Sequence, residues 1–123
     1  MPALTAEGEL SEYQYYEFRA VDRPLGAADR AALRKISTPA TITARSFTNT
    51  CHRGDLRGDP VEFVRRWFDL HLYLANWGTR RLMIRLPKRQ IDRRRLDDFL
   101  SKVDLAALDV SGENLILDII CEG

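Results

Sequence analysis

The stretch Phe68-Asp69-Leu70-His71-Leu72-Tyr73-Leu74-Ala75-Asn76-Trp77-Gly78-Thr79-Arg80-Arg81-Leu82-Met83-Ile84-Arg85-Leu86-Pro87 decides how this chain folds. Leu70, Leu72 and Leu74 alternate with His71, Tyr73 and Ala75, and Leu82, Ile84 and Leu86 alternate with Arg81, Met83 and Arg85. A period of two marks strands with one face turned to a core. Asn76-Trp77-Gly78 between them suits a three-residue hairpin loop, whose last residue takes the left-handed conformation that glycine adopts without a Cβ penalty. Closing the hairpin on Ala75 and Thr79 sets Leu72 opposite Leu82 and Leu70 opposite Ile84. The other face then pairs Tyr73 with Arg81, His71 with Met83 and Asp69 with Arg85. A slip of one residue would oppose leucines to arginines, so the pattern itself selects this register. The expectation is that the leucines face the core and the arginines are displayed outward. Pro87, with no N–H to donate, ends the second strand or places it at an edge.

Residues on either side of the hairpin extend the pattern. Tyr13 to Val21 reads as a strand, with Tyr16, Phe18 and Ala20 on one face and Tyr15, Glu17 and Arg19 on the other. Ala28, Ala32, Leu33 and Ile36 form a helical stripe over residues 27–36, which Pro39 brings to an end. Ala40 to Asn49 reads as a second strand. Asp59-Pro60-Val61-Glu62 is a helix start, with an acidic N-cap, Pro at the first position and Glu at the third; the helix is expected to run to about Phe68. Asp92 to Val103 reads as a third helix, and Leu108–Val110 and Leu115–Cys121 as a second hairpin about a Ser111–Asn114 turn. The order β-α-β-α-β-β-α-β-β predicts an α+β domain over residues 13–123, a mostly antiparallel sheet with helices on one face, loosely ferredoxin-like. Residues 1–12 are expected to be a flexible tail.

A chain of 123 residues, 45% hydrophobic and 30% charged, fits one globular domain. No apolar run approaches the roughly 20 residues that cross a bilayer, and the start of the chain lacks a basic segment followed by an apolar one. Cys51 and Cys121 match no metal or redox spacing, so two reduced thiols in a cytoplasmic protein are expected. The net charge of +1 hides an asymmetry. Residues 1–79 balance ten basic against ten acidic residues, residues 80–95 hold eight basic residues against Asp92, and residues 96–123 hold seven acids against Lys102. Mutual neutralisation of the last two blocks is the simplest outcome to test for.

Tyr15-Tyr16-Glu17-Phe18 with Asp22-Arg23-Pro24-Leu25, then Gly58-Asp59-Pro60, then the Phe68–Pro87 segment together resemble a family of uncharacterised bacterial proteins. The resemblance spans about residues 13–120. Members of that family are longer, so the chain looks like their amino-terminal portion. The resemblance implies a surface that meets further chain, and it brings no activity with it. The short acidic carboxyl end departs from the family pattern.

The residues offer three readings of function. The first is a protein-interaction domain that meets another protein or a missing domain through the hairpin and basic stretch: Tyr73, Trp77, Arg80, Arg81, Arg85, Lys88, Arg89, Arg93, Arg94 and Arg95. Trp and Arg are the residues that anchor such contacts. The second places single-stranded RNA or another nucleic acid on a platform of Tyr15, Arg19, Tyr73, Arg81 and Arg85, since aromatics stack bases and guanidinium groups bind phosphate. The third centres a metal-dependent or hydrolytic enzyme on His52, with Cys51, Asp55 and Asp59 nearby and His71 as a further ligand. No HExxH, CxxC or nucleophile–base spacing supports that third reading, so no catalytic residue, metal or cofactor is assigned and an enzyme is not expected. Arg53-Gly54-Asp55 and Arg57-Gly58-Asp59 read as turns.

Overall fold

A computed structural model describes residues 12–52, 56–102 and 106–122. The expected tail, the first Arg-Gly-Asp and Val103 lie largely or wholly outside these residues. The elements are β1 (Gln14–Arg19), α1 (Ala27–Ile36), β2 (Thr41–Ile42), β3 (Ser46–Cys51), α2 (Pro60–Arg66), β4 (Leu70–Ala75), β5 (Arg80–Pro87), a 3-10 turn (Lys88–Gln90), α3 (Arg93–Ser101), β6 (Ala106–Ser111) and β7 (Asn114–Cys121). The class is α+β as expected, and the strands form one antiparallel sheet in the order β2-β3-β1-β4-β5-β7-β6. The strand expected over residues 40–49 is instead a small hairpin of β2 and β3. Thr43 and Ser46 bond to each other across its bend, N–H to carbonyl and hydroxyl to hydroxyl.

The local signals hold where backbone chemistry sets them. Asp59 caps α2, its carboxylate accepting from the Val61 N–H at 3.0 Å, and Asp92 caps α3 through the Arg95 N–H. The central hairpin closes through the Ala75 N–H and Thr79 carbonyl, with Gly78 at φ +111°, and its register is the one the leucine pattern selects: Leu70↔Ile84, His71↔Met83, Leu72↔Leu82 and Tyr73↔Arg81.

The side of the sheet that faces the core is the reverse of the expected one. His71 and Met83 are buried to 1% and 0% exposure, whereas Leu74 and Leu82 are 37% and 38% exposed. The reason lies in β1. It pairs with β4 so that Phe18 stands opposite His71 and Tyr16 opposite Tyr73, and with β3 so that Phe18 stands opposite Phe47. These aromatic side chains share one face, and α1 and α2 cover it with Leu33, Phe63 and Val64, joined by Trp67 and Phe68 just beyond α2. The Phe18 ring lies 5.0 Å from Phe63, 5.3 Å from Phe68 and 5.7 Å from Phe47. Burying large rings removes more apolar surface than burying leucines, and their offset and edge contacts add to it.

Connections complete the assignment. α1 joins β1 to β2 and α2 joins β3 to β4, each pair parallel with one strand between. Working in opposite chain directions toward opposite edges, right-handed crossovers bring both helices to the same face. β5 and β6 are parallel with β7 between them, and for that connection the same rule favours a passage of α3 over the leucine-bearing side. There Leu115 and Leu117 are buried to 2% and 8%. A face test follows. Met83→Ala is expected to cost about 2–5 kcal/mol of unfolding free energy and Leu82→Ala less than about 1 kcal/mol, measured by urea denaturation; the opposite ranking would reverse the faces again.

Candidate functional site

The arginines named from the sequence divide into tied and untied groups. Arg81 forks onto Asp118, Nε to Oδ1 at 2.8 Å and Nη2 to Oδ2 at 2.6 Å, on the helix-bearing face of neighbouring strands β5 and β7. Arg85 binds Asp69 at 2.7 Å and gives a second hydrogen bond to the Arg65 carbonyl. Asp69 also accepts from the backbone N–H groups of Val21 and Asp22 at 2.7 and 2.9 Å, which fastens the β1–α1 loop to the hairpin. Burial alone would raise the Asp69 pKa. The hydrogen bonds from Asp22, Arg85 and Val21 outweigh it and hold the carboxyl below its usual value. Both arginines are therefore internal clamps, and their place among outward contact residues is corrected. Both partners in each clamp are largely shielded from water.

Arg93 pairs with Asp97 and Arg95 with Asp92 along α3. Arg80, Lys88, Arg89 and Arg94 are exposed and carry no ion pair among the described residues. Trp77 is 49% exposed, but its indole N–H turns back onto the Thr79 hydroxyl at 3.1 Å. Tyr73 donates to Gln14 Oε1, as does Tyr16.

The nucleic-acid platform does not assemble. Tyr15 and Arg19 stand on the leucine side of β1, paired with Leu74 and Leu70, while Tyr73, Arg81 and Arg85 stand on the helix-bearing side. Strand pleating sends alternate side chains to opposite faces, and the β1–β4 register separates the two groups. On the leucine side, Glu17 is held between Tyr15 and Arg19, at 2.6 Å from the hydroxyl and 2.8 Å from Nε.

The cluster around His52 does not converge either. Asp59 is spent as the α2 cap, Asp55 lies outside the described residues, and His52 leans on the Tyr13 ring at 6.2 Å. His71 is held across the sheet under the helices. No group of three metal-ligating side chains occurs among the described residues. Cys51 and Cys121 are unbridged and stand on strands with three others between them, so no disulfide could join them. No helix among the described residues is long and apolar enough to cross a membrane.

What the fold does present is an apolar sheet face. Leu72 and Leu74 on β4, Leu82 and Ile84 on β5 and Ile119 on β7 are cross-strand neighbours on it. Leu74 and Leu82 are exposed, and Leu70, Leu72, Ile84 and Ile119 are half-buried. At the Pro87 end the face continues into a groove of about 520 Å³ lined by Leu70, Ile84 and Leu86, by the Asp69–Arg85 clamp, and by Asp22, Arg23 and Arg89. Sequence reasoning counted these leucines as core. The missed signal was that the alternate face of the same hairpin, His71, Tyr73, Ala75 and Met83, is itself apolar enough to be buried.

No family model matches the chain, and no curated protein and no solved structure matches it.

His71 is the buried ionisable group beside these elements. Burial pushes its pKa down to about 4, helped by repulsion from Arg81 and opposed by the Glu17 carbonyl and by Asp118. The unfolded chain protonates near pH 6.5 and the folded one only near 4, so the unfolded state binds the extra proton between those values. Stability present above pH 6.5 is therefore lost as the pH falls toward 4. The expected loss between pH 7.5 and 5 is about 2 kcal/mol, read from urea unfolding. It should vanish in His71→Phe, and a pH-independent wild type over that range would contradict it. The Asp69 contribution is lost only in a lower window, below about pH 4, because its folded pKa is depressed.

Proposed function

We propose that this is an interaction domain that holds an amphipathic helix, from another protein or from further chain, on the leucine face of the β4–β5 hairpin. The observation that carries the reading is the exposure of Leu74 and Leu82 on a continuous aliphatic surface. Single exposed leucines need no explanation, but a contiguous apolar patch marks a contact surface.

Spacing argues for a helix. Helices pack 8–10 Å apart and strands lie 4.7–4.9 Å apart. With α3 over β7, as crossover handedness favours, a helix laid beside it comes to rest two strands away, over β4. There it would cover Leu72, Leu74 and Leu82 and complete the layer that α3 begins. Charge argues for an acidic flank on that helix. Arg80 is exposed next to the patch, Arg19 beside it is half satisfied by Glu17, and Arg23 and Arg89 line the groove that continues it. The resemblance to longer bacterial proteins supports an occupant from further chain. Of the basic residues first considered, Arg80, Lys88, Arg89 and Arg94 remain available to such a partner.

A photo-crosslinking side chain at position 82 is expected to capture one heterologous helical segment, whose synthetic peptide then binds the purified chain. Leu74→Ser with Leu82→Ser should weaken that peptide at least tenfold while lowering the melting temperature by only a few degrees. Capture of only a second copy of the chain, or equal affinity in the double variant, would overturn the helix reading. Salt-sensitive retention on oligonucleotides, lost on changing Arg80, Arg89 and Arg94 to Glu, would transfer the function to the basic stretch.

A further inference from the structure

On the opposite side of the sheet from the leucine face, a cavity of about 240 Å³ is lined by Tyr16, Pro60, His71, Tyr73, Arg81 and Ile120 among others. His71 is 1% exposed, and its Nε2 is the only buried side-chain N or O atom among the described residues without a hydrogen-bond partner. Leaving such an atom unpaired costs about 1–3 kcal/mol, so a buried imidazole in this state calls for a donor.

The chemistry of the donor can be read from what surrounds it. His71 Nδ1 lies 3.0 Å from the Glu17 carbonyl oxygen, which only accepts; Nδ1 therefore carries the proton and Nε2 presents a lone pair. Both tyrosine hydroxyls that line the cavity donate to Gln14. Arg81 has Nε and Nη2 committed to Asp118, which also neutralises its charge. One buried acceptor remains unpaired, set among two aromatic rings, a proline and an isoleucine, with Thr79 and the exposed Glu122 completing the lining. The cavity is smaller than the roughly 300–1,000 Å³ of sites for larger ligands, so a single ring is the size it takes.

We propose that this cavity is a binding site for a small neutral aromatic alcohol, whose ring lies against Tyr16, Tyr73, Pro60 and Ile120 and whose hydroxyl donates to His71 Nε2. An anionic ligand has no cation here that is not already paired, the exposed Glu122 that also lines the cavity is too well solvated to hold a buried cation, and a ligand with acceptors only leaves Nε2 unsatisfied. The site is independent of the leucine face, and neither reading depends on the other.

Phenol is the probe, with anisole, which has the same ring but no donor, as its control. Calorimetric titration of the full chain is expected to show saturable phenol binding at least tenfold tighter than anisole. Phenol should also shift the Nε2 nitrogen resonance of His71 in the direction of hydrogen-bond acceptance. Ile120→Trp, which fills the cavity and leaves His71 in place, should abolish binding, and His71→Phe should erase the preference for phenol. Equal binding of phenol and anisole, no saturation, or an Nε2 signal unmoved by phenol, as an ordered water alone would leave it, overturns the assignment. The wild-type comparison decides the matter even if a variant fails to fold.

Discussion

The ring of Phe18 stacks on the His71 imidazole at 4.1 Å and 17° between planes, and this contact fixes which side of the sheet becomes the inside of the protein. It exists because β1 and β4 pair with Phe18 opposite His71. Once that register is set, Phe47 arrives beside Phe18 from β3, and Phe63 and Phe68 close over it from α2 and its exit. Aromatic pairs of this kind each add about 0.5–1.5 kcal/mol beyond their buried area. The leucines of the hairpin are left on the other side because a pleated strand cannot turn both sets of side chains to one core.

Electrostatics follow from the same choice. With Arg81 and Arg85 on the helix-bearing side, each meets a carboxylate across or along the sheet, Asp118 from the acidic carboxyl block and Asp69 from the head of β4. The basic run and the acidic run that look like an exposed dipole in the sequence therefore cancel in part within the fold. Only the arginines and lysine beyond these clamps are left to act on other molecules. The forked Arg81–Asp118 pair has high geometric specificity, and with the Arg85–Asp69 bond it pins β5 between β4 and β7.

Much of the fold was legible in the sequence wherever a local rule governs it. Gly78 and the leucine alternation gave the hairpin register, Asp59 with Pro60 gave the start of α2, and Ala28, Leu33 and Ile36 gave α1. The candidate site was much less legible. Tyr15 and Arg19 group with Tyr73 and Arg81 in the sequence because both sets alternate with apolar neighbours, and nothing local says how two strands whose partners lie 51 or more residues apart are registered. The exposed leucines were misplaced for the same reason, since hydropathy ranks Leu above His and Met without knowing which face the helices cover.

By itself the chain determined its elements, its turns and the pairing of neighbours within each hairpin, because those depend on backbone preferences and on side chains a few residues apart. Tertiary structure alone decided the inside and outside of the sheet, the partners of Arg81 and Arg85, and the burial of His71 with one nitrogen unpaired. Those outcomes depend on the long-range pairing of β1 and on crossover handedness, which act on the sheet as a whole and leave no mark on any single stretch of residues.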